Sequence, residues 1–314
     1  MNPSPKRILV ALSGGVDSSI ASYLLKEKGY QVEAVYVRTW ENEKDVLGNC
    51  PGAKDLADAR EVAEFLKIPF HVVNFIDFYQ REIVHPMIQG YADGITPNPD
   101  ILCNRKMKFG ALMKYAKEHD FEALATGHYC RKIWGKDGQA HLLEGIDKNK
   151  DQSYFLAQIS QEQLNYALFP LGEMHKQDVR ILAEKIRLPV AKKKDSQGIC
   201  FLGKVKVPQF LSNFIEDLPG EIVTTQGKVV GNHQGLHRYT LGQRKGIGVP
   251  SNTNFENFVV TGKNSEANQL IVAFEDPNEP TLWGSHYGIE SVFFFTVEFP
   301  TKKTEIITFR SFYN

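Results

Sequence analysis

The sequence predicts an α/β protein with a doubly wound parallel sheet, followed by a small β-rich central domain and an incomplete C-terminal domain of two or three strands. Apolar β-rich runs alternate with segments of helical apolar spacing up to about residue 203, and a glycine turn joins the first strand to the first helix. Beyond that point glycine, β-branched residues and short turns dominate. We expect domains at 1–203, 204–275 and 276–314, the last apparently truncated because it has few strands.

The individual elements follow from the same patterns. Strands are predicted at 6–12, 31–40, 70–75 and 121–129, and a hairpin around 134–139. Helices are predicted at 17–29, 55–67, 78–94, 107–119, 160–168 and 175–188, with a loop at 95–106. In a parallel sheet of this kind, ligands bind at the carboxyl ends of the strands.

Composition sets the class of protein. The chain has 314 residues, of which 42% are hydrophobic and 24% charged, so it is long enough for a sizeable core and several domains. No apolar run reaches the ~20 residues of a membrane span, and we expect a cytoplasmic protein without membrane contact. Lys plus Arg equals Asp plus Glu at 37 each, so any polyanion must be held by local basic groups. The candidates are Lys148, Lys150, His237, Arg238, Arg244 and Lys245.

Cysteine usage argues against a disulfide framework and against zinc. The four cysteines are widely separated and form no C-x-x-C pair: Cys50, Cys103, Cys130 and Cys200. Two of them have a chemical setting. Asp100 and Cys103 lie three residues apart in the stretch TPNPDILCN, at the start of a predicted helix, and Cys200 follows three lysines in KKKDSQGICF. Nearby cations raise the thiolate fraction of a thiol, which favours thiol–disulfide exchange between the two, although a small buried side chain is the alternative for each.

The stretch ALSGGVDSS, residues 11–19, occupies the turn between the first strand and the first helix. Gly14 and Gly15 allow successive N–H groups to point inward as an anion nest, and the helix N-terminus adds positive charge. The loop lacks the lysine of a Walker A motif. It resembles the PP-loop of the N-type ATP pyrophosphatases, which implies ATP as co-substrate and Asp17 as a helper for Mg²⁺. The alternative is an ordinary glycine turn with Asp17 or Ser18 capping the helix.

Six motifs in order resemble one family, the bacterial tRNA-specific 2-thiouridylases, from residue 6 to about 275. They are ALSGGVDSS, TPNPDILCN, ATGHY, KDQSYFL, KKKDSQGICFLG and HQGLHRYTLGQRKG. The resemblance implies an ATP pyrophosphatase domain, a central domain and a β-barrel. It also implies ATP-dependent replacement of the 2-oxygen of the wobble uridine by sulfur, in tRNAs for lysine, glutamate and glutamine. The implied partners are tRNA and a cysteine desulfurase or sulfur-relay protein.

The resemblance also implies roles for individual residues. Cys103 takes the nucleophile position, Cys200 the persulfide position, and Asp100 a part in proton transfer. The implied nucleotide contacts are Ala11, Leu12, Ser13, Gly14, Gly15, Val16, Asp17, Ser18, Val37 and Gly127, with Val37 standing where the family has methionine. The implied contacts with the target base are Asn98, Pro99 and Asp100, and those with the rest of the tRNA are His128, Lys150, Asp151 and Gln152.

Two other interpretations remain open at this stage. Another PP-loop enzyme, acting on a small molecule, would explain the ATP loop but would leave both cysteine motifs without a role. A non-catalytic tRNA-binding remnant would fit the short C-terminal region, where the family's barrel continues further. The intact loop and the two cysteines speak against loss of the active site.

Overall fold

The computed structural model describes residues 7–40, 51–195, 207–250 and 257–275. These residues belong to two compact units. Of the described residues, unit 1 holds 7–40, 51–84 and 98–195, and unit 2 holds 85–97, 207–250 and 257–275. The predicted tail of 276–314 and the proposed sulfur carrier Cys200 lie outside the described residues. The three-domain division stays a prediction.

Eleven strands are present in the described parts of the chain. They are β1 (Arg7–Ala11), β2 (Gln31–Arg38), β3 (Phe70–Asn74), β4 (Ala123–Ala125), β5 (Cys130–Trp134), β6 (Ala140–Glu144), β7 (Ala167–Leu168), β8 (Gly220–Thr224), β9 (Val229–His233), β10 (Phe258–Asn264) and β11 (Gln269–Phe274).

The α-helices of the described chain are α1 (Val16–Glu27), α2 (Pro51–Leu66), α3 (Ile76–Tyr79), α4 (His85–Ala92), α5 (Pro99–Leu102), α6 (Met113–Glu118), α7 (Gln161–Tyr166), α8 (Lys176–Lys185) and α9 (Val207–Leu211). Two π-helical segments continue α3 and α5, namely Gln80–Val84 and Cys103–Leu112. Short 3₁₀ turns cover Ser153–Leu156 and Leu236–Arg238.

The sheet of unit 1 has the strand order β3-β2-β1-β4-β7, and every pair is parallel. This confirms the predicted doubly wound parallel sheet. The chain proceeds from β1 outward to β3 and then returns to the other side of β1 as β4. The carboxyl ends of β1 and β4 therefore flank the point where the strand order reverses, which is where such folds bind ligands.

Both faces of this sheet are buried, as a parallel sheet requires. Ile8 and Val10 of β1 pack in one apolar cluster with residues of α1, α2 and α8. Leu9, between them in sequence, points to the other face and packs with Phe109 and Leu112 of the second π-helical segment. The alternation fixes β1 firmly, so the loop that follows it starts from a rigid support.

The loop predicted at 95–106 ends at Asn98, and the helix start predicted around Asp100 and Cys103 is confirmed at Pro99. The Asn98 side chain accepts hydrogen bonds from the backbone N–H groups of Asp100 (3.1 Å) and Ile101 (3.4 Å), and so caps α5. Pro99 fills the first helical position, where its missing N–H removes no hydrogen bond. Asn-Pro-Asp is thus a helix start, and helical structure continues from Pro99 to Glu118. Asp100 and Cys103 lie on this helix.

Two smaller differences affect the sheet. The helix predicted at 160–168 ends at Tyr166, because Ala167–Leu168 pairs with β4 as a two-residue strand. The strand predicted at 121–129 is only Ala123–Ala125, and Thr126–Tyr129 form the loop that leaves its carboxyl end. The predicted hairpin is confirmed by the antiparallel pair β5 and β6.

Unit 2 contains a four-stranded sheet in the order β10-β11-β8-β9, which confirms the predicted β-rich region. Phe258 and Phe274 are register partners on β10 and β11, and their rings stack at 4.2 Å between centroids. Lys263 donates to the backbone carbonyl of Gly94 (3.0 Å), just beyond the C-terminus of α4. That contact joins residues 85–97 to this unit, although the sequence placed them within the first domain.

Candidate functional site

A cavity of about 490 Å³ lies in unit 1 at the carboxyl ends of the parallel strands. It brings together most of the residues that the sequence motifs single out. Those that line it are Ala11, Leu12, Ser13, Gly15, Val16, Asp17, Ser18, Val37, Asp100, Cys103, Gly127, His128, Lys150 and Gln152. Four others do not line it: Gly14, Asn98, Pro99 and Asp151.

The cavity has two walls that are built differently. We call the loop wall the group formed by residues 11–18, 126–129 and 193–195. We call the helix wall the π-helical segment 103–112 together with Phe155. Both contribute residues to the lining.

The loop wall begins with a turn that is closed by serine hydroxyls. The backbone N–H of Ser13 donates to Oγ of Ser18 (3.2 Å), and Oγ of Ser18 donates to the carbonyl of Gly15 (3.2 Å). Gly15 is the N-cap of α1 and no side chain caps the helix. The alternative of Asp17 or Ser18 as a simple helix cap is therefore wrong. The first turn of α1 instead presents its N-terminus to the cavity, where an anion is stabilised.

Two glycines are required by close approach. Gly14 has a φ of +75°, and a Cβ there would overlap the backbone carbonyl of Asp55 on α2. A Cβ on Gly127 would lie 2.8 Å from the backbone nitrogen of Ser18. The ATGHY loop after β4 is therefore packed directly against the first turn of α1, which explains why both motifs meet in one wall.

Lys193 ties this wall to α2. Its Nζ donates to the carbonyl of Gly14 (3.0 Å) and to Asp55 (2.7 Å), and it also pairs with Asp58. Burial disfavours its charge, but the two carboxylates outweigh that effect and raise the pKa of Lys193. The sequence offered Lys193, one of the three lysines before Cys200, as a cation near that thiol. The structure shows that Lys193 supports the glycine loop.

A chain of paired charges runs behind the loop. Asp17 accepts from the Tyr129 hydroxyl (2.8 Å) and from Nζ of Lys176 (2.6 Å), and Lys176 also pairs with Asp195 (2.8 Å). Lys176 lies on α8 and its side chain is only 13% exposed, so it is held between two carboxylates. The motifs in the sequence did not identify it, because an isolated helical lysine carries no signal of its own.

Asp195 forms ion pairs with three cationic side chains. Besides Lys176 it pairs with Arg180 and with Lys150, whose Nζ lies 3.1 Å from the carboxylate. Burial would raise the pKa of Asp195, but hydrogen bonds from Lys176 and Lys150 and the charge of Arg180 lower it to about 2. Lys150, predicted as a tRNA contact, is therefore engaged by a carboxylate of its own chain in this structure.

His128 is a buried neutral imidazole. Its Nδ1 lies 2.6 Å from Oγ1 of Thr126, and its ring centroid is 6.2 Å from that of Phe109 and 6.3 Å from that of Phe169. Burial, with a smaller contribution from the charge of Lys108, holds the pKa of His128 well below its usual value. Neutral His128 joins the loop wall to the helix wall.

Gln152 positions the ATGHY loop. Its side-chain oxygen accepts from the backbone N–H of Tyr129 (3.1 Å), and the backbone N–H of Gln152 donates to the carbonyl of Tyr129 (3.0 Å). Asp151, the neighbouring candidate, accepts from the backbone of Gly145 (2.9 Å) and the hydroxyl of Ser153 (2.8 Å). The structure thus assigns Asp151 a turn contact away from the cavity lining, and its predicted tRNA contact stays a prediction.

The helix wall carries the candidate nucleophile. Cys103 is a thiol that is 3% exposed and lines the cavity at the start of the π-helical segment. Hydrogen bonds from i to i+5 widen the helical turn, so side chains four or five positions apart share one face. That geometry places Met107, Lys108 and Leu112 in the same lining as Cys103. Lys106 faces elsewhere and pairs with Glu82 (3.0 Å).

Cys130 lies apart from this chemistry. It is fully buried on β5, does not line the cavity, and burial raises the pKa of its thiol well above the usual value. A thiol in this condition is a poor nucleophile. Cys130 is therefore a packing residue of β5.

The basic groups of unit 2 are largely paired within the chain. Arg238 donates from Nε to Asp217 (2.6 Å), and Arg244 pairs with Glu275 (2.8 Å). Burial lowers the pKa of His237, so this side chain is mostly uncharged near neutral pH. These residues stay predicted phosphate contacts.

The described residues contain no group of three His, Cys, Asp or Glu side chains arranged to hold a metal ion. Asp17, the predicted helper for Mg²⁺, is occupied by Lys176 and Tyr129. In the same parts of the chain, no helix is long and apolar enough to cross a membrane.

The parallel sheet, the serine-closed glycine loop and the cavity at its switch point define a nucleotide-binding α/β protein of the HUP type. A family model described as the tRNA methyl transferase HUP domain matches residues 6–204, and one described as the tRNA methyl transferase PRC-barrel domain matches residues 208–274. The first match alone covers more than half of the chain.

Relatives with a specific name identify the family more closely than the two domain descriptions do. A "tRNA-specific 2-thiouridylase MnmA" of Akkermansia muciniphila is 50% identical over 89% of this chain and 78% of its own length. Proteins of the same name from Ligilactobacillus salivarius and Proteus mirabilis are 45% and 47% identical, over 87% and 86% of this chain and 73% and 74% of their own lengths. The chain belongs to the tRNA-specific 2-thiouridylase family.

Proposed function

We propose that this protein is an ATP-dependent tRNA sulfurtransferase that converts the wobble uridine of tRNAs for lysine, glutamate and glutamine to 2-thiouridine. Membership in the 2-thiouridylase family, at 45–50% identity over most of the chain, supports the reaction. The observation that carries the proposal is one cavity lined by both the glycine loop and Cys103. A cytoplasmic location is part of the same proposal.

The loop wall binds the phosphates of ATP in this proposal. The turn at residues 13–18 and the N-terminus of α1 offer backbone N–H groups, and Lys194 also lines the cavity. The uridine 2-oxygen attacks the α-phosphorus, the bond to the β-phosphate oxygen breaks, and pyrophosphate leaves. Mg²⁺ bound to the nucleotide would neutralise charge on the phosphates. Asp17, the carboxylate within the loop at residues 11–18, would assist in holding this ion.

Sulfur enters through the two cysteines. The terminal sulfur of a persulfide on Cys200 attacks C2, and AMP leaves. The thiolate of Cys103 then attacks the Cys200 sulfur, so that the bond to the transferred sulfur breaks and a Cys103–Cys200 disulfide forms. A thiol reductant returns this disulfide to two thiols. A cysteine desulfurase or a sulfur-relay protein loads the persulfide, and Asp100, which also lines the cavity, serves proton transfer at the base.

The base must leave the anticodon stack to reach a cavity of this kind, at a cost of a few kcal/mol. Asn98, Pro99 and Asp100 belong to the first turn of the helix that carries Cys103, so a base held there would be close to the thiol. His128, Lys150, Asp151 and Gln152 remain the proposed contacts for the rest of the tRNA.

The decisive experiment measures the product directly. The protein is incubated with ATP, a persulfide source and unmodified glutamate tRNA, and the digested tRNA is analysed by mass spectrometry. We expect 2-thiouridine, formed only with ATP. The analysis also separates exchange of oxygen for sulfur from an added methyl group, which the methyl transferase descriptions would require.

Alanine variants of the cysteines provide matched controls. Cys103→Ala and Cys200→Ala should lose thiolation, whereas Cys130→Ala, on a thiol outside the cavity lining, should keep it. Full activity in Cys200→Ala would refute the persulfide role. Pyrophosphate release with a small amino or carboxylate substrate and without tRNA would favour a small-molecule synthetase instead.

A further inference from the structure

Asn104, next to Cys103 in the helix wall, has a buried acceptor without a partner. The residue is 2% exposed and lines the cavity. Its Nδ2 donates to the backbone carbonyl of Phe155 (3.2 Å), and its Oδ1 is buried with no hydrogen-bond partner among the described residues. The carbonyl of Phe155 can only accept a hydrogen bond, so the atom of the Asn104 amide that faces it must be the nitrogen. The orientation of the amide is therefore fixed, and Oδ1 is the atom without a partner.

Such an atom needs an explanation. Buried polar groups in native proteins are nearly always paired, because an unmet acceptor loses its hydration without compensation. Among the described residues, Asn104 is the one that both has a buried side-chain oxygen without a hydrogen-bond partner and lines the cavity. The residue that carries this acceptor therefore belongs to the lining of the proposed substrate cavity.

Three of the four aspartates in the lining are already paired, and the fourth, Asp100, is the proposed group for proton transfer. Asp17, Asp55 and Asp195 are each paired with a lysine, so their oxygens serve the loop wall. The uncharged Oδ1 of Asn104 lies instead on the helix that presents Cys103, the proposed nucleophile. A neutral acceptor on a wall that also contributes Met107 and Leu112 to the lining suits the edge of a base better than a phosphate.

We infer that Asn104 is a specificity-determining residue whose Oδ1 accepts a hydrogen bond from N3–H of the target uracil. The inference rests on the proposed function. In uracil the N3–H group is bonded to C2, the carbon that receives sulfur, so an acceptor at N3 also orients C2. Cytosine has the same 2-oxygen, but its N3 is an acceptor. An acceptor that cannot turn would therefore repel cytosine.

A site that hydrogen-bonds its substrate rejects an analogue that leaves the buried group unpaired. The test compares glutamate tRNA transcripts with uridine or cytidine at the wobble position, using the wild-type protein, Asn104→Leu and Asn104→Ser. Asn104→Leu keeps similar volume but has no acceptor. Asn104→Ser carries a hydroxyl that both donates and accepts, so it tolerates either base.

We expect kcat/KM for the uridine tRNA to fall roughly 10-fold to 100-fold in Asn104→Leu. In both variants the affinity ratio between uridine and cytidine tRNA should approach one, and the KM for ATP should stay unchanged.

Gln161→Leu is the matched control. Nε2 of Gln161 donates to the backbone carbonyl of Ala140 (2.8 Å), and its Oε1 has no hydrogen-bond partner among the described residues. Gln161 does not line the cavity. Gln161→Leu should keep the wild-type ratio.

An unchanged ratio in folded Asn104→Ser would overturn the inference. So would a rise in the KM for ATP with the ratio intact, because the acceptor would then meet the nucleotide. If the wild-type protein thiolates neither transcript, the proposed function itself fails. Wild-type thiolation of uridine together with an unaltered ratio in both variants would refute only the role of Asn104.

Discussion

The two walls of the cavity differ in how their polar groups are satisfied. In the loop wall Asp17 pairs with Lys176, Lys193 pairs with Asp55, and Asp195 pairs with three cations. In the helix wall the thiol of Cys103 is buried, and the oxygen of Asn104 has no partner within the described chain.

The difference matches what each wall is proposed to bind. Phosphates bring their own charge, and a loop whose shape is fixed in advance by ion pairs can meet them with backbone N–H groups and little reorganisation. A base brings directional hydrogen bonds, so the wall that selects it must keep an acceptor uncommitted. The following predictions test whether the loop wall depends on its internal pairing and the helix wall does not.

The largest effect is expected at Gly14. Gly14→Ala places a Cβ against the carbonyl of Asp55 and forces a left-handed φ of +75° on alanine. The backbone conformation alone costs about 1–2 kcal/mol, and we expect a total loss of about 3 kcal/mol because of the overlap. Urea unfolding measures the loss, and ATP-dependent thiolation should vanish.

Gly29→Ala is the control for that change. Gly29 has a φ of +83°, but nothing lies within 4 Å of a Cβ at this position. It should lose only about 1 kcal/mol and stay active. Equal losses in the two variants would show that the loop wall has room to relax.

The next effect is expected from Lys176→Met, which removes the cation between Asp17 and Asp195. Breaking a fully buried pair costs about 3–5 kcal/mol, but both carboxylates are about one third exposed, so we expect about 2 kcal/mol. Thiolation should fall because Asp17 loses its orientation. Lys148→Met, at a surface pair with Glu144 (2.7 Å), should change stability by less than about 0.5 kcal/mol.

A double variant sharpens the result. If Lys176 acts through Asp17, whose other partner is the neutral hydroxyl of Tyr129, Asp17→Asn should recover part of the stability that Lys176→Met loses, because an uncompensated charge is removed. Additive losses would mean that the two side chains act independently of each other.

The sequence predicted the loop wall better than the helix wall, for physical reasons. The glycine loop and ATGHY carry local signals, since a tight turn after an apolar strand restricts which residues fit. Lys176 gave no such signal, because its partners Asp17 and Asp195 are distant in the chain. A helix start was predicted around Asp100 and Cys103, but its exact position was not, because two prolines nearby also favoured a loop up to residue 106.

The π-helical geometry was beyond sequence reasoning. The backbone N–H groups of residues 103–112 can bond to the carbonyl four or five residues earlier. Which of the two forms depends on packing against the sheet, where Phe109 and Leu112 are buried beside Leu9. The same applies to β7, since Ala167 and Leu168 form a strand only because β4 offers an open edge. Tertiary contacts decide both elements.

His128 gives a prediction that depends on pH. Burial lowers its pKa well below the usual value, so the unfolded chain binds a proton near pH 6.5 that the folded chain does not. The stability therefore decreases as the pH falls below about 6.5, by at most about 1.4 kcal/mol per pH unit for one such group. Unfolding free energies of the wild-type protein and His128→Leu, measured between pH 5 and 7.5, should differ in slope by about this amount. Parallel curves would place a protonated imidazole in the folded protein.

The smallest effect concerns the start of the helix wall. Asn98→Ala removes the side-chain cap that accepts from Asp100 and Ile101, which costs about 1 kcal/mol. Asn98→Ser restores an acceptor at the cap and should recover most of that stability.

Thiolation separates the two roles of Asn98. If Asn98 only caps the helix, Asn98→Ser is as active as the wild-type protein. If Asn98 also contacts the target base, Asn98→Ser regains stability while kcat/KM for the tRNA stays low, because the shorter side chain cannot replace an amide at the base. Measuring urea unfolding and thiolation on the same preparations decides between a helix wall that is set by its cap and one that uses the cap residue to hold its substrate.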